Sequence, residues 1–319
     1  EMKSDEAEVI SIIPSSGSLV AKQQVVVTAI NTPAPEKAKL RIIKTLEHAD
    51  MYQEDEIMKM KFNFDISVDG YETQRISITP IRKNNTFVWE YTSGYYFWEH
   101  GKNPNYTITE VDCPEGTEFA SASSPDTQVS VSGTSVTGKL VSDAQKDNIV
   151  TNNIVNRPSE EHRGRIDLTK NVVEDILVDK DYKFVVTVSG KFIYKGVQYV
   201  NKTIQLTNDS SVEITNGNYD ENNFVVIHVD SSKVGKWVSD EFTWYGKSAP
   251  QFVVEENTLG ENVISSVEPS KGFLSDKVNG SDSVKVTAWN RDGGKSGYIH
   301  IIKTLENADK YSVDYIKEL

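Results

Sequence analysis

Six polar residues occupy positions where their neighbours call for apolar ones. Lys44 shares a face with Leu40, Ile42 and Leu46, and Lys170 shares one with Ile166, Leu168 and Val172. Glu110 ends the alternating segment Tyr106-Thr107-Ile108-Thr109-Glu110, and Asn152 lies in register between Val150 and Ile154. Glu256 follows Phe252 and Val254 on one face, and Asn290 continues Val284, Val286 and Ala288. An unpaired charge on such a face is costly, so three polar residues at matching places, twice over, call for a joint explanation. Amide exchange supplies one. A lysine amine attacks an asparagine carboxamide, ammonia leaves, and an isopeptide bond remains. The amine must be neutral to act as a nucleophile, and an apolar site lowers its pKa. A carboxyl group in the same dry site stays protonated more readily, polarises the carboxamide and shuttles the proton to the leaving nitrogen. Holding the groups together makes the step intramolecular. It runs once per site and needs no cofactor, so the chain is not an enzyme in the turnover sense.

The segments that carry these residues alternate with period two and are rich in Val, Ile, Thr and Tyr, which marks them as β-strands. Within the first unit the strands expected are Lys61–Val68, Arg75–Ile81, Phe87–Tyr91, Tyr95–Trp98, Tyr106–Glu110 and Ile149–Ile154, with Asp69-Gly70 as a hairpin turn. Short strands at regular spacing predict sandwiches. The stretch Ile42-Ile43-Lys44-Thr45-Leu46-Glu47 recurs as Ile301-Ile302-Lys303-Thr304-Leu305-Glu306, and Val9-Ile10-Ser11 recurs as Val263-Ile264-Ser265. The lysine repeat has a period of 259 residues (303 − 44), and Asn31 and Asn290 are separated by the same distance (290 − 31). Internal repetition of this kind decides architecture. It divides the chain into 1–36, the last strands of a preceding repeat; 39–156, a first sandwich; 164–292, a second; and 297–319, the first strand of a following repeat. A polar linker without periodicity covers 157–164. Pro104-Asn105-Tyr106 and Pro250-Gln251-Phe252 align Glu110 with Glu256, whereas counting back from the Val-Ile-Ser repeat favours Glu255.

The order of a lysine on the first strand, Tyr-x-Ile-x-Glu near the end and Val-x-Asn on the last strand resembles the isopeptide-linked pilin and adhesin domains of Gram-positive bacterial surface proteins. The resemblance covers both complete units and extends into the flanking pieces, with Phe252 in place of Tyr and Ala288-Trp289-Asn290 as departures in the second. It implies an all-β fold of tandem immunoglobulin-like sandwiches, each with a spontaneous Lys–Asn bond beside an acidic residue. It implies Lys44–Asn152 assisted by Glu110, and Lys170–Asn290 assisted by Glu256. Asn31 would bond to a lysine upstream, and Lys303 to an asparagine downstream. The predicted ties enclose 108 positions (152 − 44) and 120 positions (290 − 170). They predict the shaft of an extracellular, cell-surface pilus, fibre or long repetitive adhesin, whose partners are neighbouring repeats or subunits of the same protein. Pulling force would pass through the bonds and spare the sandwiches. The competing expectation is an adhesin module that binds host protein or glycan through aromatic or acidic loops, with Trp89–Trp98 the densest aromatic stretch.

Composition narrows the field further. Net charge is −13 without a basic stripe, which disfavours nucleic acid and anionic membranes. No apolar run reaches the length of a membrane helix. The single cysteine, Cys113, forms no intrachain disulfide. That leaves either a cytosolic protein or one stapled by other means. The five histidines lack metal-ligand spacing, and neither Asp179-Lys180-Asp181 nor Asp220-Glu221-Asn222 completes a calcium loop. Thr45 and Thr304, which an ester variant would need, fall on the faces opposite the lysines. No phosphate loop and no Ser/His/Asp arrangement is found.

Overall fold

A computed structural model of the chain describes residues 7–13, 16–18, 24–84, 86–214, 219–257, 263–275, 277–278 and 282–293. The described residues are nearly all β and form β-sandwich domains.

The first sandwich opens on Glu36–Leu46 and closes on Ile149–Pro158. These two strands lie side by side and parallel, although 112 residues separate Lys44 from Asn156. The closing strand also pairs with Thr117–Ser123 on its other edge, and the opening strand with Thr86–Thr92 and Tyr96–Trp98. The facing sheet runs Ser130–Ser132, Ser135–Lys139, Asn105–Val111, Phe62–Val68, Gln74–Ile78. Alternation dictates what fills the space between the sheets. Ala38, Leu40 and Ile42 come from the opening strand, Phe62, Phe64 and Ile66 from Phe62–Val68, Tyr106 and Ile108 from Asn105–Val111, and Val150 and Ile154 from the closing strand. Two short helices, Ala49–Met51 and Glu54–Ile57, follow the opening strand. A capping box between Gln53 and Glu56 ends the second of these helices at its N-terminus.

The second sandwich repeats the plan. His162–Val172 opens it, Asp282–Asp292 closes it, and the pair is again parallel. Lys180–Tyr194 is long enough to serve both layers. Its first part pairs with Val225–Val229 and Gln251–Glu256, and its end pairs with Phe242–Trp244, which in turn joins the opening strand. The register shifts between Gly190 and Lys191, and Gly190 has φ +130, a value glycine adopts at no steric cost. The extra residue at this shift is Asn201 of the partner strand Val197–Leu206, and among the described residues all these strands belong to one continuous sheet. The closing strand of the first sandwich runs to Pro158 and the next strand begins at His162, so three residues of the predicted linker remain outside strands. Ahead of the first sandwich, Ala7–Ile13 pairs antiparallel with Thr28–Pro33.

The sandwiches touch through a defined junction. Tyr245 of the second stacks on His48 and Tyr52 of the first, with ring centroids 5.1 and 6.5 Å apart. The Lys247 backbone N–H donates to Glu56 Oε1 (2.8 Å) and its amine pairs with Glu115 (3.1 Å). Gln198 donates to Asp50 Oδ2 (2.6 Å), and Lys191 donates to the Tyr52 carbonyl.

Candidate isopeptide sites

Lys44 is fully buried where its strand's alternation places it, between Ile42 and Leu46 on the core face. Its amine lies over the rings of Phe62 (4.9 Å), Phe64 (5.9 Å) and Phe119 (5.8 Å). It donates to Glu110 Oε2 at 2.8 Å and to Asn156 Oδ1. Asn156 in turn donates from Nδ2 to Glu110 Oε1 at 2.7 Å. Amine, carboxyl and carboxamide thus close a ring of three contacts in the core. Desolvation lowers the Lys44 pKa from its ordinary value to about 8, against the opposing pull of the Glu110 charge and hydrogen bond.

The structure corrects the asparagine assigned to this site. Asn152 is also fully buried on the core face, but its Oδ1 accepts from the Tyr106 hydroxyl at 2.8 Å and its Nδ2 has no hydrogen-bond partner. Register explains the exchange. Lys44 pairs with Ile154, which leaves Asn152 two residues to one side and Asn156 two residues to the other. Strand side chains lean along the strand, and here the lysine amine reaches the Asn156 side. In the facing sheet, Glu110 and Tyr106 are four residues apart on one face, so the acid meets Asn156 and the phenol meets Asn152. The sequence held a signal for this: Val150, Asn152, Ile154 and Asn156 match Val284, Val286, Ala288 and Asn290, and both runs end in asparagine.

In the second sandwich Lys170 is fully buried, with its amine 3.0 Å from Glu256 Oε2 and over the Tyr182 (4.7 Å) and Phe184 (5.9 Å) rings. Asn290 donates from Nδ2 to Glu256 Oε1 at 2.6 Å, and its Oδ1 accepts no hydrogen bond. Lys170 pairs with Ala288 and Val172 with Asn290, the same two-residue offset as in the first sandwich. Glu256 faces inward, and Glu255 is exposed on the opposite side. Desolvation again lowers the lysine pKa. The structure therefore brings together Lys170, Glu256 and Asn290, and separately Lys44, Glu110 and Asn156. Asn31 pairs with Val9 through the backbone of its strand. Lys303 lies outside the described residues.

Cys113, which the sequence offers only as an unpaired thiol, belongs to the first site. Its sulfur lies 3.5 Å from Glu110 Oε1 and 3.7 Å from Asn156 Nδ2. Of the aromatic stretch, Trp89 and Trp98 are buried, while Tyr95 and Phe97 are exposed. Among the described residues no group of His, Cys, Asp or Glu is placed to hold a metal, and no helix is long and apolar enough to cross a membrane.

These geometries explain why the lysines tolerate burial. A buried ion pair is weak evidence for stability, because desolvation offsets its Coulomb energy. An amine held against a carboxamide with an acid bridging the two is placed for amide exchange.

No protein-family model matches the chain, and no curated protein does. Among solved structures the chain is similar to pilins of Gram-positive bacteria and to the Bacillus anthracis TIE protein. The TIE protein match has 11% identity and a TM-score of 0.31; it covers 84% of this chain and 38% of that one. The shaft pilin SpaA of Lactobacillus rhamnosus GG shows 12% identity over 82% of this chain and 100% of its own, with a TM-score of 0.24. An asparagine-to-alanine variant of the major pilin from Streptococcus pyogenes shows 13% identity over 80% and 99%, with a TM-score of 0.27. Scores this low leave function to be argued from the side-chain geometry.

Proposed function

We propose that this chain is a structural segment of a bacterial cell-surface pilus, fibre or long repetitive adhesin, and that each of its two sandwiches fuses its opening and closing strands through an autocatalytic isopeptide bond. The observation that carries this reading is the ring of contacts joining Lys44, Glu110 and Asn156. The neutral Lys44 amine attacks Asn156 Cγ and gives up a proton to Glu110. The carboxyl passes a proton to the carboxamide nitrogen, which departs as ammonia. The product is one Lys44 Nζ–Asn156 Cγ amide, and Glu110 ends as it began. Lys170, Glu256 and Asn290 undergo the same exchange.

The bond suits a fibre because opening and closing strands are neighbours. Tension entering one strand leaves by the other through the amide, and the sandwich between them bears none of it. A tie across 112 positions also restricts the unfolded chain by about 5 kcal/mol in the loop-entropy description used for disulfides. Unlike a disulfide it survives reducing agents, which suits a chain with one cysteine.

Intact-mass spectrometry tests the proposal. The 319-residue chain is expected to be lighter than its sequence mass by two molecules of ammonia. Lys44→Ala, Glu110→Ala and Asn156→Ala each restore one, whereas Asn152→Ala leaves the deficit at two. A wild-type mass equal to that of the sequence overturns the reading.

A further inference from the structure

The first site contains a group that the exchange reaction as written does not use. Cys113 follows Glu110 by three residues, just past the end of Asn105–Val111, and its half-buried sulfur sits between two atoms of the reacting set. The sulfur is 3.5 Å from Glu110 Oε1 and 3.7 Å from Asn156 Nδ2. A thiol both donates and accepts weakly. Here its S–H points to the carboxyl oxygen, and its lone pair receives an N–H of the carboxamide.

The consequence shows in the carboxamides. Asn156 is held at every polar atom: Oδ1 by Lys44, and Nδ2 by Glu110 and Cys113. Among the described residues Asn290, its counterpart, is held by Glu256, and its Oδ1 is without a partner. At the matching sequence position, three residues after Glu256, the second unit has Leu259. The two sites share lysine, acid and asparagine and differ in the thiol.

We infer that Cys113 is a positioning residue for the first isopeptide bond: its thiol fixes the plane of the Asn156 carboxamide, so that the carbonyl carbon faces the Lys44 amine and the leaving nitrogen faces Glu110. This rests on the isopeptide reading above. The thiol forms no covalent bond and ends the reaction unchanged. Burial pushes its pKa up, so it is a protonated donor rather than a thiolate nucleophile.

The second site serves as an internal control. The full chain is made by cell-free synthesis, quenched in acid at intervals and digested. The branched peptides joining Lys44 to Asn156 and Lys170 to Asn290 are then quantified by mass spectrometry. Cys113→Ala is expected to slow the first bond by about fivefold, the loss of one modest hydrogen-bonding contact, and to leave the second unchanged. Cys113→Ser, which restores a donor and an acceptor, is expected to recover the wild-type rate. In a Lys44→Ala background, adding Cys113→Ala is expected to leave the melting temperature unchanged, which separates positioning from packing. An unaltered first-bond rate in Cys113→Ala overturns the inference, as does equal slowing in the alanine and serine variants. Absence of the first branched peptide from the wild-type chain overturns the isopeptide reading itself.

Discussion

The amine of Lys44 is held in the core by Glu110 and Asn156, and its titration makes that burial measurable. In the folded chain its pKa is lowered to about 8, chiefly by desolvation. In the unfolded chain it returns to the ordinary lysine value near 10.5. The folded state therefore binds the proton less tightly, and folding bears the cost of the buried charge in full below pH 8. That cost fades as pH rises from 8 to 10.5. In an Asn156→Ala, Glu110→Gln background, which keeps the lysine but neither bonds nor leaves a second buried charge, removing the amine with Lys44→Met is expected to stabilise the first sandwich more at neutral pH than near pH 10.5. Urea titration of the two variants at several pH values measures this; a gap that does not change with pH contradicts it. At this scale the sequence was legible wherever one polar residue broke an apolar face. Lys44, Lys170, Glu110, Glu256 and Asn290 are found that way, and Glu255 is excluded once its outward direction is seen. Asn152 and Asn156 lie on the same face of the same strand, so alternation does not choose between them. The choice belongs to Glu110 and Tyr106 on the facing sheet.

At the scale of strands, the parallel pairing of opening and closing strands sets the geometry of both sites, because it fixes the two-residue offset between lysine and asparagine. Asn152 then takes a structural role within the closing strand. Its carbonyl receives the hydroxyl of Tyr106, whose own pKa burial raises to about 12, so the phenol remains a donor at any physiological pH. Tyr106→Phe in the Lys44→Ala background is expected to cost about 1–3 kcal/mol, since it leaves the buried Asn152 oxygen without a donor. Calorimetry or denaturant titration reads this directly. Gly138 lies against the same ring, and a Cβ built there meets the Tyr106 hydroxyl at 2.5 Å. Gly138→Ala must displace the phenol and is expected to destabilise by a similar amount. The strands themselves were legible from alternation and turn residues, and most of the expected strands of the first unit occur within a residue or two of their place. The many partners of Lys180–Tyr194 were not, because the register shift at Asn201 of Val197–Leu206 leaves the alternation along Lys180–Tyr194 unbroken.

For the molecule as a whole, the junction determines whether two sandwiches behave as one rod or as beads on a string. Tyr245 stacks on two rings of the first sandwich, and the loop beside it brings Gly246, at φ +77, against Glu56. The left-handed backbone there favours glycine, and a Cβ would come within 3.0 Å of the Tyr52 ring and push the Glu56 carboxylate aside. Gly246→Val and Tyr245→Ala are expected to broaden the distribution of interdomain angles in small-angle scattering while leaving both bonds and their mass deficit intact. An unchanged profile in both variants contradicts this. Nothing in the sequence advertised the junction, because His48 and Tyr245 are far apart in the chain and are ordinary surface residues until the strands fold.

The adjacency of opening and closing strands also governs how the first sandwich responds to proteolysis. With the amide in place, the backbone from Lys44 to Asn156 is a closed covalent ring, and every hairpin and loop of the first sandwich lies on its circumference. A protease that nicks any one of those loops linearises the ring and releases no fragment. The digested protein is expected to run on a denaturing gel as a single branched species until a second cut falls within the same ring.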